Sequence, residues 1–219
     1  MTYRKVLKWP DTALRKESQP VGPEEEILEI LNDLEDTLRV EKGLGIAAPQ
    51  IGVHKYIFII DTTTLDFDPP DDDSPLEDKN LWVVINPSLF SPRGEEKMWR
   101  EGCLSVPYHS AEISRSEKIA LQYLSFKGNM TTVDLSWPVA GIVQHEYDHL
   151  RGRLFIDRLS RLKSSRIKKS ILKKQKKLEK IKKQMLESGE QQITKVRKNS
   201  HLRKKEIKKR KRNKKVSRV

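Results

Sequence analysis

The hexapeptide QHEYDH, residues 144–149, carries the side chains with the clearest capacity for chemistry in this sequence. On a helix, two histidines four positions apart project from the same face, so His145 and His149 can both reach one metal ion. Glu146 between them can accept a proton from a water molecule that the ion activates, without binding the ion itself. Two ligands leave a metal site incomplete, so the rest of the chain must provide a third.

A single cysteine, Cys103, is the strongest candidate for the third ligand. The continuation H-E-x-x-H-x-x-G-x-x-H of the metzincin proteases fails, because Phe155 stands where their third histidine would be. An acidic ligand further along is disfavoured, because only four acidic residues follow position 160. A thiolate with two imidazoles leaves a fourth tetrahedral position open for water, and these ligand types alone suggest zinc.

Two other interpretations of these residues stay open at this point. A lone cysteine is often a small buried hydrophobic residue with no ligand role. An isolated H-E-x-x-H match also arises by chance, from histidines that bind nothing. Cys103 and the histidine pair therefore do not prove one another.

The charge of the chain is divided between two segments of opposite sign. Residues 161–219 hold 26 Lys and Arg against 4 Asp and Glu, a net of +22, and residues 1–160 hold the other 18 and 27, a net of −9. The lone cysteine excludes an internal disulfide framework and suits a reducing compartment. The sequence has no 18-residue apolar run and no leader-like start, so we expect a cytoplasmic protein with no membrane segment.

Hydrophobic periodicity predicts a helix and two strands in the first half of the chain. Pro23 and the three glutamates after it predict a helix start, and apolar residues then repeat at three- and four-residue spacing up to a stop at Gly43. The runs 55–60 and 81–86 predict strands, the second ended by Pro87. The acidic, proline-rich segment between them predicts a surface loop.

More strands and the motif helix follow Cys103. The alternation Leu-Ser-Val at 104–106 predicts a short strand, and 118–126 with 130–136 predict a hairpin around a glycine turn. Pro138 opens the helix that carries the histidines, and Gly152 lies near its end. The order helix, strands, helix predicts a mixed α+β domain rather than alternating parallel units.

Three segments, GLGIAAPQ (43–50), EGCLSVP (101–107) and QHEYDH (144–149), resemble in their order and separation the three motifs of the peptide deformylases. The resemblance covers nearly all of residues 1–160. It implies a small α+β domain with antiparallel strands around a central metal-binding helix. It also implies an enzyme that removes the formyl group from the N-terminal formylmethionine of nascent polypeptides and releases formate.

The resemblance further implies a role for each motif residue. It assigns one divalent metal ion, natively Fe(II) with zinc, nickel or cobalt as substitutes, to the ligands Cys103, His145 and His149. Glu146 would be the general base and acid, and Gln50 with the backbone N–H of Leu104 would stabilise the oxyanion. Arg115 would pair with Glu101 beside the site.

We expect the substrate to be bound mainly through its backbone, because such an enzyme must accept many different polypeptides. An extended N-terminus would pair with the two glycine-containing segments as a strand does. A hydrophobic pocket beside the metal would take the methionine side chain, with Val143 near it. The residues predicted to contact the substrate are Gly43, Leu44, Gly45, Ile46, Glu101, Gly102, Ser105 and Ile142.

The basic segment predicts a helix over 161–187 and a disordered tail over 188–219, which cannot bury a core. An apolar stripe on the lysine-rich helix consists of Ile167, Ile171, Leu178, Ile181 and Met185. A solvated extension would explain this composition. Many cations without aromatic residues also favour electrostatic contact with RNA over base stacking or a membrane surface. For a deformylase that acts as a monomer, the expected partner is the ribosome, bound through residues 161–219.

Two alternatives from other classes remain beside this interpretation. One is a zinc peptidase of the H-E-x-x-H type, which Phe155 disfavours. The other is an inactive RNA-binding protein on a deformylase scaffold, which the presence of every motif residue disfavours. We therefore predict a catalytic deformylase domain, 1–160, followed by the basic extension.

Overall fold

The computed structural model describes residues 3–70 and 73–186, apart from the side chains of residues 90 and 91. The predicted tail over 188–219 lies outside the described residues. The chain divides into two compact units, Met1–Lys168 and Lys169–Val219. The predicted domain boundary at residue 160 stays a prediction.

A five-stranded antiparallel sheet forms the centre of the first unit, with its strands in chain order. The strands are β1 Gly45–Ala47, β2 Ile57–Asp61, β3 Leu81–Gly102, β4 Ser110–Leu124 and β5 Met130–Ser136. Two α-helices, α1 Leu28–Glu41 and α2 Val139–Leu150, accompany the sheet together with short 3-10 helices at Thr12–Arg15, Ala48–Ile51 and Phe155–Asp157. The predicted mixed α+β class is confirmed.

Helix α1 begins at Leu28, so the predicted start at Pro23 is wrong. Glu25 holds the preceding residues in a turn, because its Oε2 accepts a hydrogen bond from the Gly22 N–H (3.2 Å) and pairs with Lys55 Nζ (2.6 Å). These contacts use the carboxylate that would otherwise favour a helix N-terminus. The predicted apolar stripe of α1 is buried, and its buried leucines are Leu31, Leu34 and Leu38.

Strand β3 runs through Pro87, so the predicted end of the strand at that residue is also wrong. The pairing of β3 with β4 shifts register between Ile85 and Ser88. Such a bulge leaves a residue without a ladder hydrogen bond, which is where a strand tolerates proline. The longer hairpin brings Gly102 opposite Ser110 and places Cys103 first in the connecting loop.

Residues 104–106, predicted as a strand, instead form part of a turn in that loop. The Val106 N–H donates to the Cys103 carbonyl oxygen over 3.0 Å, which closes the turn. The segment 62–80 has no helix or strand among its described residues, as predicted for a loop. It is not wholly at the surface, because Leu76 is buried in the core beside α1.

Alternate residues of β2 face two separate cores on opposite sides of the sheet. Ile57 and Ile59 pack in the cluster that includes the buried face of α1. Phe58 and Ile60 pack in the cluster that includes Val143 of α2. Helix α2 is thus held against the sheet by its apolar residues, and this fixes the direction in which its polar face points.

Residues 161–186 are helical, which agrees with the predicted helix except for residue 187, which lies outside the described residues. Within the second unit, Leu178, Ile181 and Met185 of the predicted stripe are exposed. The helix carries 12 Lys and Arg and a single acidic residue, Glu179. No helix in residues 3–70 and 73–186 is long and apolar enough to cross a membrane.

Candidate metal centre

Helix α2 and the β3–β4 loop bring the three predicted ligands together. His145 and His149 lie one turn apart on α2, with their ring centroids 5.1 Å apart. The Sγ of Cys103 lies 3.2 Å from His149 Nε2. One ligand atom from each of Cys103, His145 and His149 falls within a group no more than 4.8 Å across. Side chains far apart in sequence therefore converge on a space the size of one ion.

The chemistry of this donor set fits a divalent metal ion. Burial alone would raise the pKa of the Cys103 thiol, but the neighbouring imidazoles of His149 and His145 outweigh it and lower that pKa well below its ordinary value. A thiolate and two imidazoles are ligands for first-row divalent ions and leave a coordination position open. Glu146 Oε2 is buried and has no hydrogen-bond partner within the described residues. An unsatisfied carboxylate oxygen beside three ligands is suited to a water molecule or substrate at the ion.

Glu101 orients His145 for this role. Its Oε2 lies 2.7 Å from His145 Nδ1, which leaves Nε2 of the ring as the ligand atom. Glu101 also accepts hydrogen bonds from Trp99 Nε1 (3.0 Å) and from Arg115 Nε (2.6 Å) and Nη2 (3.0 Å). Burial would raise the pKa of this carboxyl, but the contacts with His145 and Arg115 lower it to about 2. Glu101 therefore remains ionised, and both of its oxygens act as hydrogen-bond acceptors.

Arg115 links that carboxylate to a second one on α2. Its fully buried guanidinium donates to Asp148 Oδ2 over 2.6 Å as well as to Glu101. Asp148 also accepts two hydrogen bonds from Arg158, of 2.6 and 2.7 Å. The resemblance pointed to the Glu101–Arg115 pair, whereas sequence reasoning missed Asp148 and Arg158. The signal available for Asp148 was that it is a second carboxylate between the two motif histidines, on a helix otherwise rich in apolar residues.

Gln50 presents its amide nitrogen to the site. Its Oε1 accepts the backbone N–H of Ala47 (2.8 Å), which fixes the orientation of the amide. Its Nε2 then donates to Ser105 Oγ (3.3 Å) and lies 3.8 Å from Cys103 Sγ. A buried donor held in this way keeps its position without reorganisation when charge develops beside it.

Two glycines allow the segment 43–50 to approach its neighbours closely, and Gly45 is the one that lies against α2. A Cβ on Gly45 would lie 2.8 Å from Glu146 Oε1, and one on Gly43 would lie 3.2 Å from both Leu104 Cδ1 and Leu38 Cδ1. Real Cβ contacts essentially never reach the first of these distances. The position of Glu146 therefore depends on the missing side chain at Gly45.

A cavity of about 560 Å³ opens onto the metal centre. The residues predicted to contact substrate that line it are Gly43, Leu44, Gly45, Glu101, Gly102 and Ile142. Ile46 is fully buried in the core, so only its backbone on β1 can face a ligand. Ser105 is buried as the acceptor for Gln50, and Val143 lies in the core on the other face of the sheet. Trp99, which sequence reasoning did not single out, also lines the cavity; it precedes Glu101 by two residues, so both lie on one face of β3.

This fold and this donor set define a metal-dependent hydrolase whose Cys103 and His145 line a cavity. A family model described as polypeptide deformylase matches residues 3–165. The chain belongs to that family. Its activity is peptide deformylation, a metal-dependent hydrolysis.

Solved structures of the family are similar over most of the chain. A peptide deformylase from Legionella pneumophila is 36% identical, covers 81% of this chain and 97% of its own, and has a TM-score of 0.68. One from Ehrlichia chaffeensis in complex with actinonin is 30% identical, with coverages of 80% and 98% and a TM-score of 0.68. One from Plasmodium falciparum in complex with an inhibitor is 26% identical, with coverages of 77% and 97% and a TM-score of 0.64.

We expect Glu101→Gln to lower metal affinity by about 10- to 100-fold, because a neutral amide orients His145 less strongly than a carboxylate does. Competition with a chelator for zinc measures this affinity, and circular dichroism gives the folded fraction of each sample. Glu29→Gln, at a side chain that is 82% exposed, is the matched control and should leave the affinity unchanged. Equal affinities for the two variants would contradict the orienting role of Glu101.

We expect Gly45→Ala to reduce kcat for deformylation about 100-fold while metal content stays the same. The added Cβ must displace the Glu146 carboxylate, and a shift of about 1 Å in a reacting group costs on the order of 100-fold. Steady-state formate release and metal analysis of the same sample provide the two readouts. Gly22→Ala, whose added Cβ would meet its nearest atom at 4.0 Å, should retain the full rate. A fully active Gly45→Ala enzyme would show that Glu146 tolerates displacement.

Proposed function

We propose that this chain removes the N-formyl group from formylmethionine at the N-terminus of nascent polypeptides and releases formate. The observation that carries the proposal is the convergence of Cys103, His145 and His149 beside the cavity, which Cys103, His145 and Glu146 line. One divalent ion is held by these three ligands, natively Fe(II), with zinc, nickel or cobalt as substitutes. When bound, the ion supplies positive charge that acidifies a water molecule and polarises the formyl carbonyl.

Glu146 acts as the general base and then as the general acid. Its buried carboxylate lines the cavity and takes a proton from the attacking water molecule. The same carboxyl then delivers that proton to the nitrogen of the leaving amine, which could not depart as an anion. Its unsatisfied Oε2 supports this role, since a hydrogen-bonding partner for that atom has to come from water or substrate.

Gln50 and the backbone N–H of Leu104 stabilise the oxyanion. Attack on the formyl carbon transfers negative charge to its oxygen, and donors already aimed at that oxygen are worth about 3 kcal/mol each. Gln50 Nε2 is suited to this because Ala47 holds the other end of its amide. Leu104 directly follows Cys103 in the turn of the β3–β4 loop, which supports its placement beside the ion.

The substrate backbone lies along the edge of the sheet. Strand β1 is an edge strand that pairs with β2 on one side, so an extended peptide can add to its other side near Gly45. The stretch 102–105 flanks the peptide on the opposite side. Ile142 and Leu44 line the cavity beside the metal centre and provide apolar contact for the methionine side chain.

We expect Glu146→Gln to lower formate release from a formyl-Met peptide by at least about 100-fold, because the amide cannot take up a proton. The bound metal, measured on the same sample, should remain. A chelator should abolish the activity of the unmodified chain, and restored metal should return it. Cleavage of an internal peptide bond would favour the peptidase alternative, and a metal-loaded chain without any formate release would favour the inactive RNA-binding alternative.

We further propose that residues 161–219 bind the ribosome through electrostatic contact with its RNA. The helix 161–186 supports this, because it carries 12 cationic side chains and only one acidic side chain. These cations can displace counterions from phosphates. The exposed Leu178, Ile181 and Met185 add an apolar contact surface within the second unit. On this proposal the chain works as a monomer in the cytoplasm, where nascent chains emerge.

We expect the full-length variant Lys173→Gln, Lys177→Gln and Lys180→Gln to bind ribosomes more weakly, with the slope of log affinity against log salt reduced by about 2. These lysines share one exposed helix face at spacings of four and three. Lys5→Gln, Lys16→Gln and Lys127→Gln together change the same number of exposed charges in the first unit and should leave binding unchanged. Co-sedimentation at several salt concentrations gives both quantities, and equal slopes for the two variants would exclude the helix as the docking element.

A further inference from the structure

One wall of the cavity includes Trp99, which packs against a second tryptophan, Trp137. Trp99 of β3 lines the cavity, and its ring meets that of Trp137 edge to face, with centroids 4.8 Å apart and an interplanar angle of 87°. Its Nε1 also donates to Glu101 over 3.0 Å. Trp99 is therefore held at its polar end by the carboxylate that orients His145 and at its apolar side by Trp137. This arrangement joins the cavity wall to the metal centre.

Gly141 provides the space in which Trp137 sits. A Cβ at this position of α2 would lie 2.7 Å from Trp137 Cζ3 and 3.2 Å from Cη2. The indole thus packs directly on the helix backbone, at a distance that any other residue at 141 would prevent. The next residue, Ile142, faces the cavity from the same helix. Trp137 consequently lies between the strand that bears one wall and the helix that bears the other.

We propose that Trp137 is a positioning residue that determines specificity for the first side chain of the substrate. By spacing Trp99 from α2, it sets the width of the slot between the Trp99 ring and Ile142. A narrow slot with a flat aromatic wall fits the thin, unbranched methionine side chain and admits wider side chains poorly. This inference rests on the deformylase function proposed above and adds to it the residue that selects the substrate.

Removing the Trp137 ring should weaken the discrimination between methionine and a wider first side chain. In Trp137→Ala, Trp99 loses its edge-to-face partner and the slot widens, so the ratio of kcat/KM for formyl-Met-Ala-Ser over formyl-Phe-Ala-Ser should fall about fivefold. The change should appear mainly as a higher KM for the methionine peptide, because Glu146 and the metal ligands are not touched. Trp137→Phe keeps an aromatic edge and should stay within about twofold of the unmodified ratio.

Gly141→Ala provides a second route to the same change. It keeps all four tryptophans and favours the helix, so the protein should fold, but it forces the Trp137 indole to move. The ratio should shift in the same direction as in Trp137→Ala. Trp82→Phe is the matched control, because Trp82 is buried in the core with its Nε1 bonded to the Tyr123 hydroxyl and should affect thermal stability alone.

Two results would overturn the inference while leaving the deformylase function intact. One is an unchanged ratio in both Trp137→Ala and Gly141→Ala, with formate still released. The other is an equal change of the ratio in Trp82→Phe, which would make the effect one of general loosening. If the unmodified, metal-loaded chain releases no formate from the methionine peptide, the proposed function fails first and the inference fails with it.

Discussion

The arrangement of the metal centre depends on one buried ion pair, that of Glu101 with Arg115. Glu101 is the penultimate residue of β3, two residues before the ligand Cys103; its Oε1 pairs with Arg115 and its Oε2 holds His145. Arg115 on β4 reaches from Glu101 to Asp148 of α2. Taking these charges out of water is costly, and the cost is offset only because each carboxylate and guanidinium has several hydrogen-bond partners here. The pair therefore fixes where the ligands stand more than it adds to the stability of the whole fold.

A second constraint is the closeness of the first motif to α2. The Glu101–Arg115 pair fixes the position of β3, which leads into the loop of Cys103, relative to α2, which carries the two histidines. Glu146 can face the cavity only because Gly45 has no side chain. Gln50, five residues further on, is then aimed by the backbone of Ala47 in the same segment. The proposed acid–base group and the proposed oxyanion donor thus rely on backbone geometry, which a side chain at Gly45 would disturb.

The local parts of this arrangement were accessible from the sequence, and the non-local parts were not. The histidine pair follows from helical period alone, and the order of three motifs pointed to Cys103. The path of β3 through Pro87 depends on a register shift against β4, which no local pattern reveals. The alternation of apolar and polar residues at 104–106 predicts a strand, but these residues form a turn. The hydrogen bond from the Val106 N–H to the Cys103 carbonyl oxygen closes that turn. Contacts such as that of Trp99 with Trp137 arise only when β3 packs beside the residues that precede α2.

Helix α2 is where these constraints meet, and this has a consequence for substrate selection. One face of α2 bears the metal-binding histidines, Asp148 ties it to Arg115, and Gly141 receives Trp137. Trp99 packs on Trp137 and donates to Glu101, so the proposed wall of the slot and the metal centre share one support between β3 and α2. Because the slot is set through Trp137 while Glu146 and the metal ligands keep their places, a side chain of the wrong width loses contact in the slot before it meets the reacting groups. Discrimination between first side chains is therefore expected mainly in binding.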